Sequence, residues 1–243
     1  MKKSAYQNLA ENQQRHWWYK GRRDVIKKTL EKYILNRDKQ ILEIGCGAGG
    51  NLTMLKEFGT VSAVEMNDFA REYSMTNSGV KVAKGSLPDA LDIPEDLLET
   101  VCLFDVLEHV QDDKEALIKI HGLMKSDGQL ILTVPAYQWL FGHHDEQLEH
   151  FRRYSMRALK RLIKECGFSV TYSSYFNFLL FPVAVLVRVL NNFSDKLMPL
   201  GTNKPNEKIN TLLYKVFKQE TKLIPRFKIP FGLSIIVVLK KTQ

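Results

Sequence analysis

The stretch GHHDEQLEHFRRYS, residues 142–155, gathers three histidines, three carboxylates and two arginines. Imidazole and carboxylate groups can transfer protons near neutral pH or bind a metal ion, and a guanidinium group can bind an anionic part of a substrate. The polar residues fall on every face of a helix or a strand, so periodicity does not decide between a metal site, an acid/base cluster and a solvated loop. The meaning of this stretch therefore depends on the elements that position it.

A glycine-rich loop is the second chemical pattern. In ILEIGCGAGG, residues 41–50, an apolar run contains Glu43 and continues into four glycines. Glycine permits a tight turn and a close approach of the backbone to a ligand, and the helix that follows offers free N–H groups. Gly45, Gly47 and Gly50 also fit the pattern G-x-G-x-x-G, which leaves a nicotinamide or flavin enzyme as an alternative.

Glu65 lies at the end of the next apolar run, 20 residues beyond Gly45. A carboxylate at this point can accept hydrogen bonds from both hydroxyls of a ribose. The alternative is that Glu65 only caps the helix that follows. The glycine loop and this acid together predict a ligand that contains a ribose.

The elements that position these groups alternate along the chain. Short β-rich runs begin at QILEIG, TVSAVE, VKVAKG, ETVCLFD, GQLILTVP and SVTYSSYF, with a last one at GLSIIVVLKK. Most of the intervals between the first runs are long enough for crossover helices. An amphipathic helix is predicted over 22–35, and another runs from an N-cap at Ser155 to Gly167. The alternation predicts an α/β fold with a parallel sheet covered on both faces.

About 55 residues separate the last two runs, which exceeds an ordinary connection and predicts an insertion with its own structure. Its first part is apolar from Phe176 to Leu190 but is interrupted by Pro182 and Arg188. A spanning helix needs about 20 apolar residues, so we expect a buried helix or, as the alternative, a helix that dips into a lipid surface. A linker over 201–208 and an amphipathic helix over 207–224 should follow.

Composition bounds the class of protein. The chain has 243 residues and a net charge of +8, which favours anionic partners such as nucleic acid, phosphorylated metabolites or lipid. Basic residues are spread along the chain, which disfavours nucleic acid. Cys46, Cys102 and Cys166 have no C-x-x-C spacing and are predicted to be reduced thiols. The first 20 residues lack the apolar core of a secretory signal, so we expect a cytoplasmic protein.

The motifs together resemble the class I S-adenosylmethionine-dependent methyltransferases. These motifs are E-x-G-x-G-x-G from Glu43 to Gly49, the acid Glu65, KGSLPDAL after the third run and FDVLEHVQD after the fourth. The resemblance covers the chain from about residue 15 onward. It implies a Rossmann-like, seven-stranded, mostly parallel sheet with an antiparallel last strand. We expect a single methyltransferase domain over 1–243, with a helical lid over 1–37 and a helical, partly apolar insertion over 175–231.

The resemblance also implies the cofactor, S-adenosyl-L-methionine (SAM), with S-adenosyl-L-homocysteine (SAH) as the product. The residues that it places around the methionine part and the ribose are Glu43, Gly45, Cys46, Gly47, Gly49, Glu65 and Met66. Ser86 and Leu87 would face the adenine, with Ser86 in place of the usual aspartate, and Phe104 and Asp105 would form the pocket floor. This context disfavours the dehydrogenase alternative.

HWWYKGRR, residues 16–23, is predicted to cover the cofactor. In this interpretation Trp18 belongs to an aromatic lid, and Arg22 or Arg23 pairs with the cofactor carboxylate. The alternative is a hydrophobic staple against the sheet. With 142–155 and the apolar run, this motif resembles a bacterial subgroup of type 11, 12 and 23 methyltransferases that is linked with cell-surface glycan or lipid-linked sugar pathways.

FDVLEHV raises a metal question. Asp105, Glu108 and His109 resemble the E-x-x-E-H of magnesium-dependent relatives that methylate quinone precursors or RNA ends, although Asp105 is one methylene shorter than the glutamate. A fourth ligand would have to come from His143 or His144. We predict no metal, and expect His109 to cap a helix and contact the substrate pocket.

Methyl transfer to a hydroxyl needs a base that removes the proton. His144 follows the fifth strand, on the expected acceptor side, and is the predicted base, with Asp145 orienting it or binding substrate. The residues expected to bind the acceptor are His143, His150, Arg152, Arg153 and Tyr154. The alternative is a charged lid with internal ion pairs.

The predicted acceptor is a hydroxyl of a small molecule, a sugar or a lipid-linked compound. Residues 175–193 are the segment expected to make any peripheral membrane contact. A magnesium-dependent O-methyltransferase of a quinone precursor or an RNA end, and a non-catalytic scaffold that binds the cofactor, are the alternatives.

Overall fold

The computed structural model describes residues 3–193 and 204–242. Its sheet has seven strands in the order β3-β2-β1-β4-β5-β7-β6. The strands are β1 (Gln40–Ile44), β2 (Thr60–Glu65), β3 (Lys81–Lys84), β4 (Leu98–Phe104), β5 (Met124–Pro135), β6 (Phe168–Phe176) and β7 (Ser234–Lys241). Neighbours from β3 to β5 are parallel, whereas β7 is antiparallel to both β5 and β6. The predicted fold class, including the antiparallel last strand, is confirmed.

The strand β7 shows why the sheet needs helices on both of its faces. Successive side chains of a strand point to opposite faces, and β7 is apolar at every position from Ile235 to Leu239. Ile235, Val237 and Leu239 pack in one core with α5 (Asp113–Leu123) and α7 (Met156–Glu165). Ile236 and Val238 pack in a second core on the opposite face.

The remaining helices lie before and between the strands or in the insertion. They are α1 (Lys3–Asn12), α2 (Trp17–Tyr33), α3 (Leu52–Leu55), α4 (Asp68–Ser78), α6 (His143–Gln147), α8 (Phe181–Phe193) and α9 (Glu207–Lys218). The helix predicted over 22–35 begins five residues earlier because the His16 side chain accepts a hydrogen bond from the Trp18 backbone N–H at 3.2 Å. The Ser155 cap of α7 is confirmed.

The described residues of the predicted insertion include the helices α8 and α9, and α9 packs closely on α2. A Cβ atom at Gly21 of α2 would lie 2.2 Å from Phe217 Cδ1, so only glycine permits this approach. Asn210 of α9 accepts from the Trp17 N–H and donates to the Arg15 carbonyl, which fixes α9 over the start of α2. Pro182, expected to interrupt the apolar run, lies in the first turn of α8, where a helix tolerates proline.

Part of the predicted linker over 201–208 falls outside the described residues, and α9 begins at Glu207 within its predicted range. None of the helices that the structure describes is long and apolar enough to cross a bilayer. Cys46, Cys102 and Cys166 are free and buried in the structure.

Candidate active site

A cavity of about 1050 Å³ opens at the edge of the sheet where the parallel strands end. The loops after β1, β2 and β4 form its floor, and α1, α2, α8 and α9 supply side chains from above. The carboxyl ends of neighbouring parallel strands meet at one edge of a sheet, so groups far apart in sequence converge here. The predicted residues that line the cavity include Trp18, Arg22, Arg23, Glu43, Gly45, Cys46, Gly47, Glu65, Met66, Ser86, Leu87, Phe104, Asp105, His109, His144, His150 and Arg153.

The glycine loop follows β1 in the conformation that its sequence predicts. Gly45 and Gly47 have φ angles of +71° and +54°, a region that side chains with a Cβ rarely adopt. A Cβ at Gly47 would also lie 2.9 Å from Leu9 of α1. Gly49, predicted to line the cofactor, instead packs against α4, where a Cβ would lie 2.8 Å from Ser74 Cβ.

Glu65 is buried at the end of β2, and both of its carboxylate oxygens accept hydrogen bonds. Gly47 N–H donates to Oε2 at 2.8 Å, and Asn67 N–H donates to Oε1 at 2.9 Å. The Tyr6 hydroxyl of α1 also donates to Oε1, at 3.2 Å. The N-cap of α4 is Asn67, whose side chain accepts from the Ala70 N–H. Glu65 thus binds the N–H of the cap residue of α4 but is not itself the N-cap.

Glu43 is buried beneath the glycine loop. The Asn51 amide donates to Glu43 Oε1 at 2.7 Å, while Oε2 has no hydrogen-bond partner in the described part of the chain. Burial disfavours the charged form and raises the pKa of Glu43 to about 7, although the Asn51 hydrogen bond and the charge of Arg22 act in the opposite direction. This side chain can therefore carry a proton near neutral pH.

The segment 16–23 lies over the cavity, and its two arginines bind protein groups. Arg22 forms an ion pair with Asp105, which also accepts from the Thr133 hydroxyl at 3.0 Å. Arg23 donates to two backbone carbonyls, those of Gln13 at 2.7 Å and of Gly50 at 3.3 Å. The predicted pairing of Arg22 or Arg23 with the cofactor carboxylate would thus require these contacts to be exchanged.

Trp18 packs as the alternative of a hydrophobic staple describes, because its ring stacks on Phe176 and Phe217. The same residue lines the cavity, and its role as a cofactor lid stays a prediction.

Three groups of the acceptor side come together in space. Glu108, His109 and His150 place one carboxylate oxygen and one nitrogen of each ring within 4.8 Å of one another. The two imidazole rings meet edge to face with centroids 4.5 Å apart. Burial and the neighbouring His150 lower the pKa of His109 to about 4. His144 is half-buried on the same cavity wall.

Asp145 lies behind this wall and is fully buried. Its carboxylate accepts from His150 Nδ1 at 2.9 Å, from Arg153 Nε at 2.8 Å and from the Gly142 N–H at 3.1 Å. Asp145 is not among the residues that line the cavity, and its carboxylate orients the side chains of His150 and Arg153.

The other predicted acceptor residues face away from the cavity. His143 is exposed, with ring nitrogens near Glu146 and Gln147 on the outer side of α6. Arg152 pairs with Asp113 at 2.9 Å, and the Tyr154 hydroxyl donates to the same carboxylate at 2.8 Å. For these two residues the structure agrees with the alternative of internal ion pairs and hydrogen bonds, so their predicted contact with substrate is corrected.

A family model described as a methyltransferase domain, Methyltransf_23, matches residues 14–173, which include the glycine loop, Glu65 and the wall that carries His144. The chain belongs to the SAM-dependent methyltransferases. The predicted family is confirmed. An uncharacterized protein of Methanocaldococcus jannaschii is 24% identical over 156 residues, which span 64% of this chain and 66% of the relative, just under two thirds of its length.

Solved structures of methyltransferases share the fold. A methyltransferase of Haloferax volcanii, in complex with the Trm112 activator, has a TM-score of 0.65 at 14% identity and covers 99% of this chain and 95% of its own. A SAM-dependent methyltransferase of Thermotoga maritima has a TM-score of 0.61 at 17% identity, and the match covers 98% of this chain and 99% of the other. Geranyl diphosphate C-methyltransferase of Streptomyces coelicolor A3(2), solved with Mg²⁺, geranyl diphosphate and SAH, has a TM-score of 0.61 at 12% identity and covers 89% and 78%.

The residues of this methyltransferase fit SAM in the half of the cavity beside the glycine loop. Gly47 lines the cavity and has no side chain, so a ligand can approach its backbone closely. Glu65 lines the same half, where its carboxylate could accept from ribose hydroxyls, and the unpartnered Oε2 of Glu43 could accept from a cationic group. Ser86 and Leu87 also line the cavity, and their contact with the adenine stays a prediction.

Two functional side chains escaped the sequence reasoning. Tyr6 donates to Glu65, and Gln13 donates to the Ala48 carbonyl of the glycine loop at 2.8 Å. Tyr6, Leu9, Ala10 and Gln13 follow the spacing i, i+3, i+4 and i+7, which is the signal of one helical face. That pattern would have predicted α1 and its contact with the loop.

Proposed function

We propose that this methyltransferase transfers the methyl group of SAM to a hydroxyl of a small-molecule, sugar or lipid-linked acceptor that carries an apolar part. The observation that supports this proposal is the mixed lining of the cavity beyond the glycine loop. Its imidazole groups are His109, His144 and His150. Its apolar lining includes Val183, Ala184 and Val187 of α8 and Ile209 and Leu213 of α9.

SAM supplies an electrophilic methyl group on a sulfonium. The acceptor oxygen forms the new bond to the methyl carbon, the carbon–sulfur bond breaks, and its electron pair remains on the sulfur of SAH. The proton of the hydroxyl must go to a base, and an imidazole is suited to accept it near neutral pH. Burial lowers the pKa of His109 to about 4, which makes it a weak base. We therefore propose His144 as the base.

The cavity walls also hold the reactants in line and exclude water. For an in-line displacement, this positioning contributes most of the catalysis. Trp18 and the helix α1 close the cofactor side. The apolar residues of α8 and α9 would align an acceptor by burying its apolar part, at about 25 cal/mol per Å² of buried surface.

The proposal is tested with isotopically labelled SAM and a panel of sugars, quinols, aliphatic alcohols and lipid-linked sugars. His144→Ala should lower kcat by about 10²–10⁴-fold, the usual contribution of a general base, without weakening SAH binding. His121→Ala is the matched control, because His121 packs on Phe168, away from the cavity. Unchanged kcat in His144→Ala would contradict the base, and methylation of nitrogen or carbon acceptors alone would contradict the hydroxyl.

We further propose that residues 175–193 contact a lipid surface, where a lipid-linked acceptor resides. Val183 and Leu186 of α8 are more than half exposed, and Val183 also lines the cavity, so the apolar lining continues to the protein surface. Flotation with vesicles that contain anionic lipid should recover the wild type, and Leu186→Glu should reduce the bound fraction. Leu35→Glu is the control, because exposed Leu35 lies before β1, at the opposite edge of the sheet. Equal flotation of both variants would contradict this contact.

A further inference from the structure

We propose that Glu108, His109 and His150 bind a divalent transition-metal ion in the acceptor half of the cavity. All three line the cavity, and their ligand atoms lie within 4.8 Å of one another. This differs from the sequence-based expectation of no metal, and from the alternative set that included Asp105 with His143 or His144. Asp105 is paired with Arg22, and His143 is exposed on the outer side of α6.

The Glu108 carboxylate supplies an independent observation. The residue is only 1% exposed, and its Oε2 atom has no hydrogen-bond partner among the described residues. A buried carboxylate oxygen without a partner is costly, whereas a bound cation provides both charge and coordination. Two imidazole rings lie beside it, and in their neutral form these rings offer lone pairs.

The His150 ring is oriented in the manner of a metal ligand. His150 Nδ1 lies 2.9 Å from Asp145 Oδ1, and because a carboxylate can only accept, Nδ1 donates and Nε2 is the nitrogen that can bind a metal ion. The His109 ring lies edge to face against it, with the ring centroids 4.5 Å apart. Histidine ligands of metals are commonly oriented by a carboxylate or a carbonyl in this way.

The donor set indicates the kind of ion. Two imidazoles and one carboxylate suit Zn²⁺, Co²⁺, Mn²⁺ or Fe²⁺, whereas Mg²⁺ and Ca²⁺ prefer oxygen ligands throughout. Three protein ligands leave positions open toward the cavity. The role of the ion rests on the proposed function. We propose that it would bind the acceptor hydroxyl and, as a Lewis acid, increase the acidity of that hydroxyl. His144 then takes the released proton.

The site is tested first without SAM or acceptor. Wild-type protein is freed of metal by dialysis against a chelator and titrated with Co²⁺, followed by its visible absorption, and with Zn²⁺ and Mn²⁺ by calorimetry. We expect one ion per chain. His150→Ala and Glu108→Gln should weaken binding at least about 10–100-fold, the loss seen when even an outer partner of a ligand is removed. His121→Ala should bind as the wild type does.

Failure of the wild type to bind any of the three ions overturns the proposal, whether or not the variants fold. An ion that remains equally bound in both ligand variants lies elsewhere and also overturns it. SAH binding and circular dichroism verify that each variant is folded. Hydroxyl methylation by metal-free protein at an undiminished rate would refute the assigned role while leaving the O-methyltransferase proposal intact. If the protein binds one ion per chain but methylates no hydroxyl, the O-methyltransferase proposal is refuted and the metal site stands.

Discussion

Glu43→Gln should raise the free energy of unfolding relative to the wild type, and this difference should grow as the pH rises. The Glu43 carboxyl has a pKa of about 7 in the folded chain, against an ordinary value of 4.5, because burial disfavours its charge. Between these two values the unfolded state has lost the proton and the folded state retains it, so the unfolded state binds fewer protons and stability falls as pH rises. At 1.36 kcal/mol per pKa unit the total loss is about 3.4 kcal/mol, nearly all of it reached by about pH 8.

The glutamine side chain cannot ionise and therefore avoids this loss. Its carbonyl can accept from the Asn51 amide, as Glu43 Oε1 does, and its own amide can donate to Asn51 Oδ1, which lacks a partner among the described residues. We expect the difference in free energy of unfolding, variant minus wild type, to grow by about 2.5 kcal/mol between pH 5 and pH 8 in urea titrations. Glu72→Gln, on the exposed side of α4, controls for the loss of one charge. Parallel pH dependence of Glu43→Gln and wild type would refute the reasoning.

Three further substitutions test the cofactor and acceptor walls. Tyr6→Phe removes the hydroxyl that donates to Glu65 Oε1, so SAH affinity measured by calorimetry should rise about 2- to 10-fold, the contribution of one net hydrogen bond. Weaker binding would show that Tyr6 does not compete with the ribose. Glu65→Gln removes the charge and should weaken SAH binding by about 10-fold or more, because hydrogen bonds to charged groups contribute about 1.5–3 kcal/mol. Asp145→Asn leaves the buried Arg153 without its counter-ion and should lower the free energy of unfolding by about 3–5 kcal/mol in urea, whereas a loss below about 1 kcal/mol would mean that water reaches this pair.

The cofactor half of the cavity was predictable because it depends on local backbone rules. The glycines must adopt positive φ angles directly after a strand, and an acid at the end of the next strand must lie beside them. These constraints act on residues that are close together in the sequence. The strands were predictable for a similar reason, since an apolar run such as that of β7 has to be buried on both faces.

The acceptor half was harder to predict because its contacts join distant parts of the chain. Arg22 and Asp105 are 83 residues apart, and no periodicity connects them. His150 reaches His109 only because the chain after α6 returns to the end of β4, where Phe151 N–H donates to the Glu108 carbonyl at 2.8 Å. The sequence could therefore predict that histidines lie on this side, but not which of them meet.

The pairing of charges around the cavity bears on the choice of acceptor. Arg22 and Arg153 line the cavity, and each is bound to an aspartate, Asp105 and Asp145 respectively. The same cavity is lined by the carboxylates of Glu43, Glu65, Glu108 and Glu149. The net charge of +8 is therefore not concentrated where the reaction takes place. The third arginine of the cavity lining, Arg23, donates to backbone carbonyls and not to a carboxylate, so a strongly anionic reacting group would meet four carboxylates and this one guanidinium. Under the proposed function, selection of the acceptor would then depend on its hydroxyl and on the apolar residues of α8 and α9 that line the cavity.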